Sequence, residues 1–252
     1  MKKLLKNVVK TIFPQHMQLW LTYNHKKLRG SLDPEMLFVE RNLTQHRRFL
    51  DIGANVGIYS FHFASTFAQV EAFEPISEIT YQLRDMRRES IRTHSVALSN
   101  NSGDLNFYIP IIDGRTVPGL ASLEIRDKPY EERLVKVKRL DDYLFEDVDL
   151  IKIDVEGHES SVIEGAIETI LKTFPILIVE IEQRHISKPI DEVFNLILEI
   201  GYDGFFLKND ELISIDEFSY STHQEPFLNC VNDDAYINNF IFMRASNAHN
   251  GN

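Results

Sequence analysis

One cysteine, Cys230, stands in 252 residues, which excludes an internal disulfide and any thiolate cluster for a structural zinc. A reducing compartment is therefore expected. Nowhere do roughly 18 apolar residues follow one another, so no membrane-spanning helix is expected. Repeats and low-complexity tracts are missing as well. Acidic residues are absent from positions 1–30, where Lys2, Lys3, Lys6, Lys10, Lys26, Lys27 and Arg29 stand. That stretch carries +7, and the net charge of −11 then leaves −18 on the rest. An acidic body excludes general nucleic-acid binding, because neutralising phosphates needs a cationic face.

The basic start, MKKLLKNVVKTIF, has the outline of a secretory signal, but Lys6 and Lys10 interrupt its apolar run and no small-residue cleavage site follows. Leu4, Leu5, Val8, Val9 and Ile12 fall at helical spacing opposite the lysines. Two readings stay open for residues 1–13: a helix packed on its own domain or on a second subunit, or peripheral contact with an anionic membrane. The expected location is cytoplasmic, with contact at the inner membrane face under the second reading. Trp20 and Tyr23 are read as covering the core.

With 43% hydrophobic residues the chain can bury one full core. A basic helical arm over 1–32, one domain over 33–246 and a frayed tail over 247–252 are expected. Apolar runs at RRFLDIG, QVEAFEP, THSVALS, VDLIKIDVEG and PILIVEIE read as buried strands. Helices are expected from Pro34 to about Arg41, Val56 to Phe67, Ser77 to about Glu89, Glu159 to about Thr173 and Asp191 to Ile200. LNFYIP and LVKVKRL alternate like antiparallel partners, and the roughly twenty residues between them form a loop long enough to be a lid. YDGFFLK and NFIFMR close the chain as strands. The alternation of strand and helix specifies an α/β domain with a largely parallel sheet, whose ligands sit at the carboxyl ends of the strands.

Each chemical motif lies at such an end. Gly53 and Gly57 permit a tight strand-to-helix turn, and Glu74, 21 residues past Gly53, can accept ribose hydroxyls at the end of the next strand. Together they indicate a nucleoside-containing cofactor. The run is D-x-G-x-N-x-G, with Asn55 where a dinucleotide turn has its second glycine and with Asp51 just before. A carboxylate there repels a pyrophosphate and attracts the ammonium and sulfonium of S-adenosylmethionine. Asp51 also suits a second role, holding the backbone of the turn.

FLDIGANVGIYS, VEAFEP, VALSNNSGDLNFY, VKVKRLDDYL and DLIKIDVEGHESSVIEGA, with PILIVEIE after them, resemble in kind and order the FkbM family of S-adenosylmethionine-dependent methyltransferases. The resemblance covers 49–182 and implies a class I methyltransferase, Rossmann-like fold: a seven-stranded, mostly parallel sheet with helices on both faces, a reversed final hairpin and an inserted hairpin and loop. It implies O-methylation of a sugar, glycoconjugate or natural product. It would place Asp51, Gly53, Asn55 and Gly57 around the methionine part of the cofactor, Glu74 at the ribose, and Ala97 and Leu98 near the adenine.

Methyl transfer to a hydroxyl calls for a base beside the acceptor. In KIDVEGHE, Asp154 and Glu156 share a strand face and His158 opens the next helix. His158 or Glu156 is the expected base, with Asp154 positioning cofactor or acceptor. In VEIEQRH, Glu180, Glu182 and His185 are candidates for holding sugar hydroxyls, or a divalent metal together with Asp154. Whether a metal is needed stays open, as do the acceptor and the oligomeric state. Two other classes remain: an NAD(P)-dependent oxidoreductase, disfavoured by Asn55, Asp51 and the lack of a Tyr-x-x-x-Lys pair, and a catalytically silent methyltransferase-like domain that binds a glycan or partner.

Overall fold

β1 (Arg48–Ile52) shows why the chain folds as it does: all its residues but the first are buried, and they divide by period two between two cores. Phe49 packs with Met36, Val39, Tyr59, Phe63 and Phe67 on one side. Leu50 and Ile52 pack on the other with Val162, Ile163, Ile170, Val193 and Phe194. Only a central strand covered by helices on both faces needs such a run. The structure is a computed structural model that describes residues 15–245 except 86, 87, 126–128, 232 and 234, and the backbone alone at 15, 16, 80, 82, 83 and 85.

Among the described residues, β1 lies between β2 (Gln69–Phe73) and β8 (Val148–Ile153), parallel to both. β3 (Ile91–His94) extends the sheet beyond β2, and β9 (Ile176–Glu180) extends it beyond β8. β12 (Asn239–Arg244) then enters antiparallel between β9 and β10 (Tyr202–Lys208). The expected seven strands and reversed strand are present, with an eighth, β11 (Glu211–Ser214), paired to β10 at the edge. Its turn is made by Asn209 and Asp210, both at positive φ, the backbone that two-residue hairpins require.

Helices stand where expected: the first is one residue longer than read, and the others, α4 (Ser77–Asp85) among them, are shorter. α2 (Pro34–Asn42) and α3 (Ile58–Phe63) cover one face, and α5 (Glu159–Glu164), α6 (Ile167–Thr173) and α7 (Ile190–Leu198) cover the other. The helix expected from Glu159 to Thr173 is broken at Gly165 and Ala166. The single strand expected at THSVALS is two: β3 in the main sheet, and β4 (Ala97–Leu98), which joins a second sheet. That sheet has the order β4-β7-β5-β6, with β5 (Gly103–Ile112) and β7 (Tyr130–Lys138) antiparallel as read from their alternation and β6 (Arg115–Thr116) on β5.

α1 (Gln15–Leu28) turns Leu19 and Tyr23, one helical turn apart, into an apolar cluster with Ala54, Phe61 and Ala72. Tyr23 accordingly covers the core, and its hydroxyl meets His62 Nδ1 at 2.8 Å. Trp20 does not: it points about 100° away on the helix and is half exposed. The helix expected at 1–13 and the tail at 247–252 lie outside the described residues. No described helix is long and apolar enough to cross a membrane.

Candidate active site

Strand order reverses between β1 and β8, so the crevice for a ligand opens above their carboxyl ends. A cleft of about 550 Å³, partly open solvent, lies there. Gly53, Asn55, Glu74, Ala97, Leu98, Asp154, Glu156 and His158 all line it, joined by Phe107, Pro118, Gly119, Ala121 and Leu123 from the second sheet and the loop beyond it. Phe107 stands in the predicted strand LNFYIP, whereas the last four carry no sequence motif and the length of the loop is their only signal.

The turn after β1 is built for close approach. Gly53 sits at φ +78, and a Cβ on it would lie 1.8 Å from the Asp154 carbonyl oxygen. Asn55 adopts φ 47, its Oδ1 accepting from Val56 N–H at 2.7 Å. Glu74 is fixed through both oxygens, Oε2 accepting from Asn55 N–H at 3.1 Å and Oε1 from Ile76 N–H at 2.9 Å. Burial pushes its pKa up to about 7 despite those bonds.

Asp51 and Gly57 are absent from the cleft lining. Asp51 is buried, and its Oδ2 accepts from Ser60 N–H at 2.9 Å and Ser60 Oγ–H at 2.6 Å. It thus ties α3 to β1 beneath the turn, and the carboxyl groups that line the cleft are those of Glu74, Asp154 and Glu156. Gly57, at φ 86, starts α3.

Asp154 directly follows β8, where burial raises its pKa to about 6 while Lys152 pulls it down and Glu156 pushes it up. Lys152, which no motif reading singled out, is buried on the same strand and donates to Asn239 Oδ1 at 2.9 Å. Burial would lower its pKa, but the charges of Asp154 and Glu180 prevail and raise it. Glu156 sits at φ 58, a costly conformation for a side-chain-bearing residue. His185 Nδ1 lies 2.9 Å from its Oε2. Gly157 follows at φ +99, and a Cβ there would strike the His185 carbonyl at 2.3 Å. The two clusters read separately from KIDVEGHE and VEIEQRH are therefore in contact.

Glu180, Glu182 and His185 do not line the cleft. Glu180 Oε1 accepts from Asn238 Nδ2 at 2.9 Å, and its Oε2 is 3.7 Å from Lys152 Nζ. Glu182 accepts from Arg184 Nε at 2.6 Å and Nη2 at 2.9 Å, and from the Tyr236 hydroxyl. Burial alone would raise its pKa, but those bonds hold it below the ordinary value. Among the described residues no group of three or more His, Cys, Asp or Glu side chains is arranged to hold a metal ion.

His158 is buried, with Nδ1 2.7 Å from Glu124 Oε1 and Nε2 2.9 Å from Ser99 Oγ. Glu159 is buried too; its Oε1 accepts from Gly157 N–H at 2.8 Å, and its Oε2 has no hydrogen-bond partner. Burial brings its pKa to about 7.

These carboxyls set an unusual pH dependence. Burial holds Glu74 and Glu159 at about 7 and Asp51 and Asp154 at about 6, all above their unfolded values. The folded state therefore binds more protons than the unfolded one from roughly pH 4 to 7, and stability falls as pH rises through that window. Glu182, with its lowered pKa, acts in the opposite sense at more acid pH, and His62 and His223, whose pKa values burial lowers, offset part of the fall within the window. The urea midpoint is expected to be higher near pH 5.5 than near pH 7.5; a midpoint that climbs steadily over this range contradicts the assignment.

A family model for the methyltransferase FkbM domain matches residues 51–203. The 2-O-methyltransferase NoeI of Sinorhizobium fredii is 32% identical over 49% of this chain and 59% of its own length. Methyltransferase sdnD of Sordaria araneosa is 27% identical over 50% of this chain and 63% of its own length. The chain thus spans about three fifths of these curated relatives. A crystal structure of methyltransferase FkbM from Methylobacillus flagellatus superposes with a TM-score of 0.51 at 19% identity, covering 78% of this chain and 43% of that one, a likeness of fold.

Proposed function

Because the chain belongs to the FkbM methyltransferase family, we propose that it methylates a hydroxyl oxygen of a sugar, glycoconjugate or natural product with S-adenosylmethionine as donor. One observation carries the choice of cofactor. Among the described residues lining the cleft are three carboxylates, Glu74, Asp154 and Glu156, and no lysine or arginine. Such a site repels a pyrophosphate and favours a ligand with an ammonium and a sulfonium. The fit extends to shape: the bare Gly53 turn admits a ligand to the backbone, and Glu74 is held ready for a ribose. Ala97, Leu98 and Phe107 offer the apolar wall an adenine needs. Oxygen as the acceptor atom is supported by NoeI, a 2-O-methyltransferase.

When bound, the cofactor supplies an activated methyl carbon that bonds to the acceptor oxygen as its bond to sulfur breaks, the sulfur leaving as a neutral thioether. The chain aligns the acceptor and takes its proton. We assign the proton to Glu156, which lines the cleft and is oriented by His185, and positioning to Asp154. His185 stands directly behind Glu156, with Glu182 beside it and Glu180 beside Lys152.

Calorimetry tests the reading. S-adenosylmethionine and its demethylated product are expected to bind saturably and NADH to give no heat; the reverse result would sink the proposal. Protonation of Glu74 and Asp154 removes the charge that attracts the donor, so donor affinity is expected to fall from about pH 8 to pH 6. A flat profile would show that these carboxyls do not face the ligand. Mass spectrometry of glycans from cells with and without the protein should reveal a gain of one CH₂ unit.

A further inference from the structure

The cleft is not made by the main sheet alone. Between β6 and β7 the chain leaves the second sheet, makes one turn of 3₁₀ helix at Pro118–Leu120, and places Pro118, Gly119, Ala121 and Leu123 on the cleft. Gly119 lies so close to the Gly53 turn that a Cβ on it would be 2.9 Å from Asn55 Nδ2. Ser122 exchanges backbone hydrogen bonds with Tyr108 of β5, at 2.8 and 3.1 Å. These contacts make the 118–124 segment a wall hung from the second sheet.

Two side-chain bonds fasten this wall to the loop after β8. Ser122 Oγ donates to the Val155 carbonyl at a long 3.2 Å. The other runs between Glu124 Oε1 and His158 Nδ1 at 2.7 Å, the short distance of a charge-assisted bond. The far side of the same ring reaches Ser99 Oγ at 2.9 Å, and Ser99 directly follows the cleft-lining Ala97 and Leu98. One buried imidazole thus joins the wall, the start of α5 and the end of β4.

Proton bookkeeping then decides what the ring can do. A carboxylate only accepts, so Nδ1 donates to Glu124. In the neutral ring Nε2 accepts from the Ser99 hydroxyl; in the charged ring Nε2 donates to it. Neither state leaves a lone pair for an acceptor's proton.

We propose that His158 is a positioning residue that latches the 118–124 segment over the cofactor cleft, and that it acts on cofactor affinity through that segment. The inference rests on the methyltransferase reading of the cleft and goes beyond it in separating His158 from the proton transfer.

The test uses the full chain and S-adenosylhomocysteine as probe. His158→Ala and Glu124→Ala are each expected to raise its Kd about tenfold, the low end for a charge-assisted bond because Glu124 is half exposed. The double variant should be no worse than the weaker single, as for two ends of one link. His158→Gln, whose amide can donate to Glu124 and accept from Ser99, should recover binding to within a few-fold. In the ligand-free protein, backbone amides of 119–124 should exchange faster in both alanine variants and near the native rate in His158→Gln. Native binding with native exchange in Glu124→Ala, or additive losses in the double variant, overturns the proposal. So does loss of turnover in His158→Gln alongside native binding in Glu124→Ala, which marks the ring as the base. If the unaltered protein binds no S-adenosylhomocysteine, the functional reading fails, and the exchange rates still decide the latch.

Discussion

Gly53→Ala is expected to abolish binding of S-adenosylmethionine and to destabilise the fold by about 2–4 kcal/mol. Two costs combine. The left-handed backbone at φ +78 costs an alanine about 1 kcal/mol relative to glycine. The new Cβ would also lie 1.8 Å from the Asp154 carbonyl oxygen, and backbone cannot rotate aside as a side chain can. Relief requires parting β1 from the chain leaving β8, where Asp154 N–H donates to the Ile52 carbonyl at 3.0 Å. Such overpacking adds roughly 1–3 kcal/mol and displaces Asp154 from the cleft. Gly201→Ala is the control: its φ is +93 with nothing within 4 Å, so only the conformational cost of about 1 kcal/mol should appear. Urea unfolding and calorimetry on both variants check this; native donor affinity in Gly53→Ala would refute the geometry assigned to the turn.

Glu156→Gln is expected to lower kcat by about 10²–10⁴, the range lost with a general base, while S-adenosylhomocysteine still binds. Glutamine keeps the size and one oxygen acceptor of the side chain but cannot take up the acceptor's proton. Retention of binding separates a chemical defect from collapse of the cleft. His185→Ala, which removes the group 2.9 Å from Glu156 Oε2, should produce a smaller loss of the same kind through misorientation. Full turnover in Glu156→Gln would withdraw the base assignment and shift attention to Asp154.

The motif residues that line the cleft were legible because each stands at the end of a strand whose apolar run is local in sequence. Gly53 after FLDI, Glu74 after VEAF and Asp154 after LIKI needed only the rule that such ends converge. Ala97 and Leu98 came from family resemblance and lie on the cleft, although β4 belongs to the second sheet. What escaped depends on distant segments meeting. Asp51 looked like a ligand for the cofactor's charge, and only the folded chain brings Ser60 to its carboxylate. Lys152 reads as an ordinary charged residue inside a strand until Asn239, from the far end of the chain, is seen to cap it. The wall made by Pro118, Gly119, Ala121 and Leu123 could be suspected from loop length but not located. β11 was missed although Asn209 and Asp210 are typical residues of a tight hairpin turn.

The threading of the main sheet has a consequence for synthesis. β12 is made after β10 and β11, yet it lies between β9 and β10 and pairs with both. Until residues 239–244 leave the ribosome, β9 keeps an unpaired edge and the β10–β11 hairpin has no strand to join it to the sheet. An exposed edge of this kind invites pairing with other chains. Nascent polypeptides stalled before position 239 are therefore the species most in need of a chaperone.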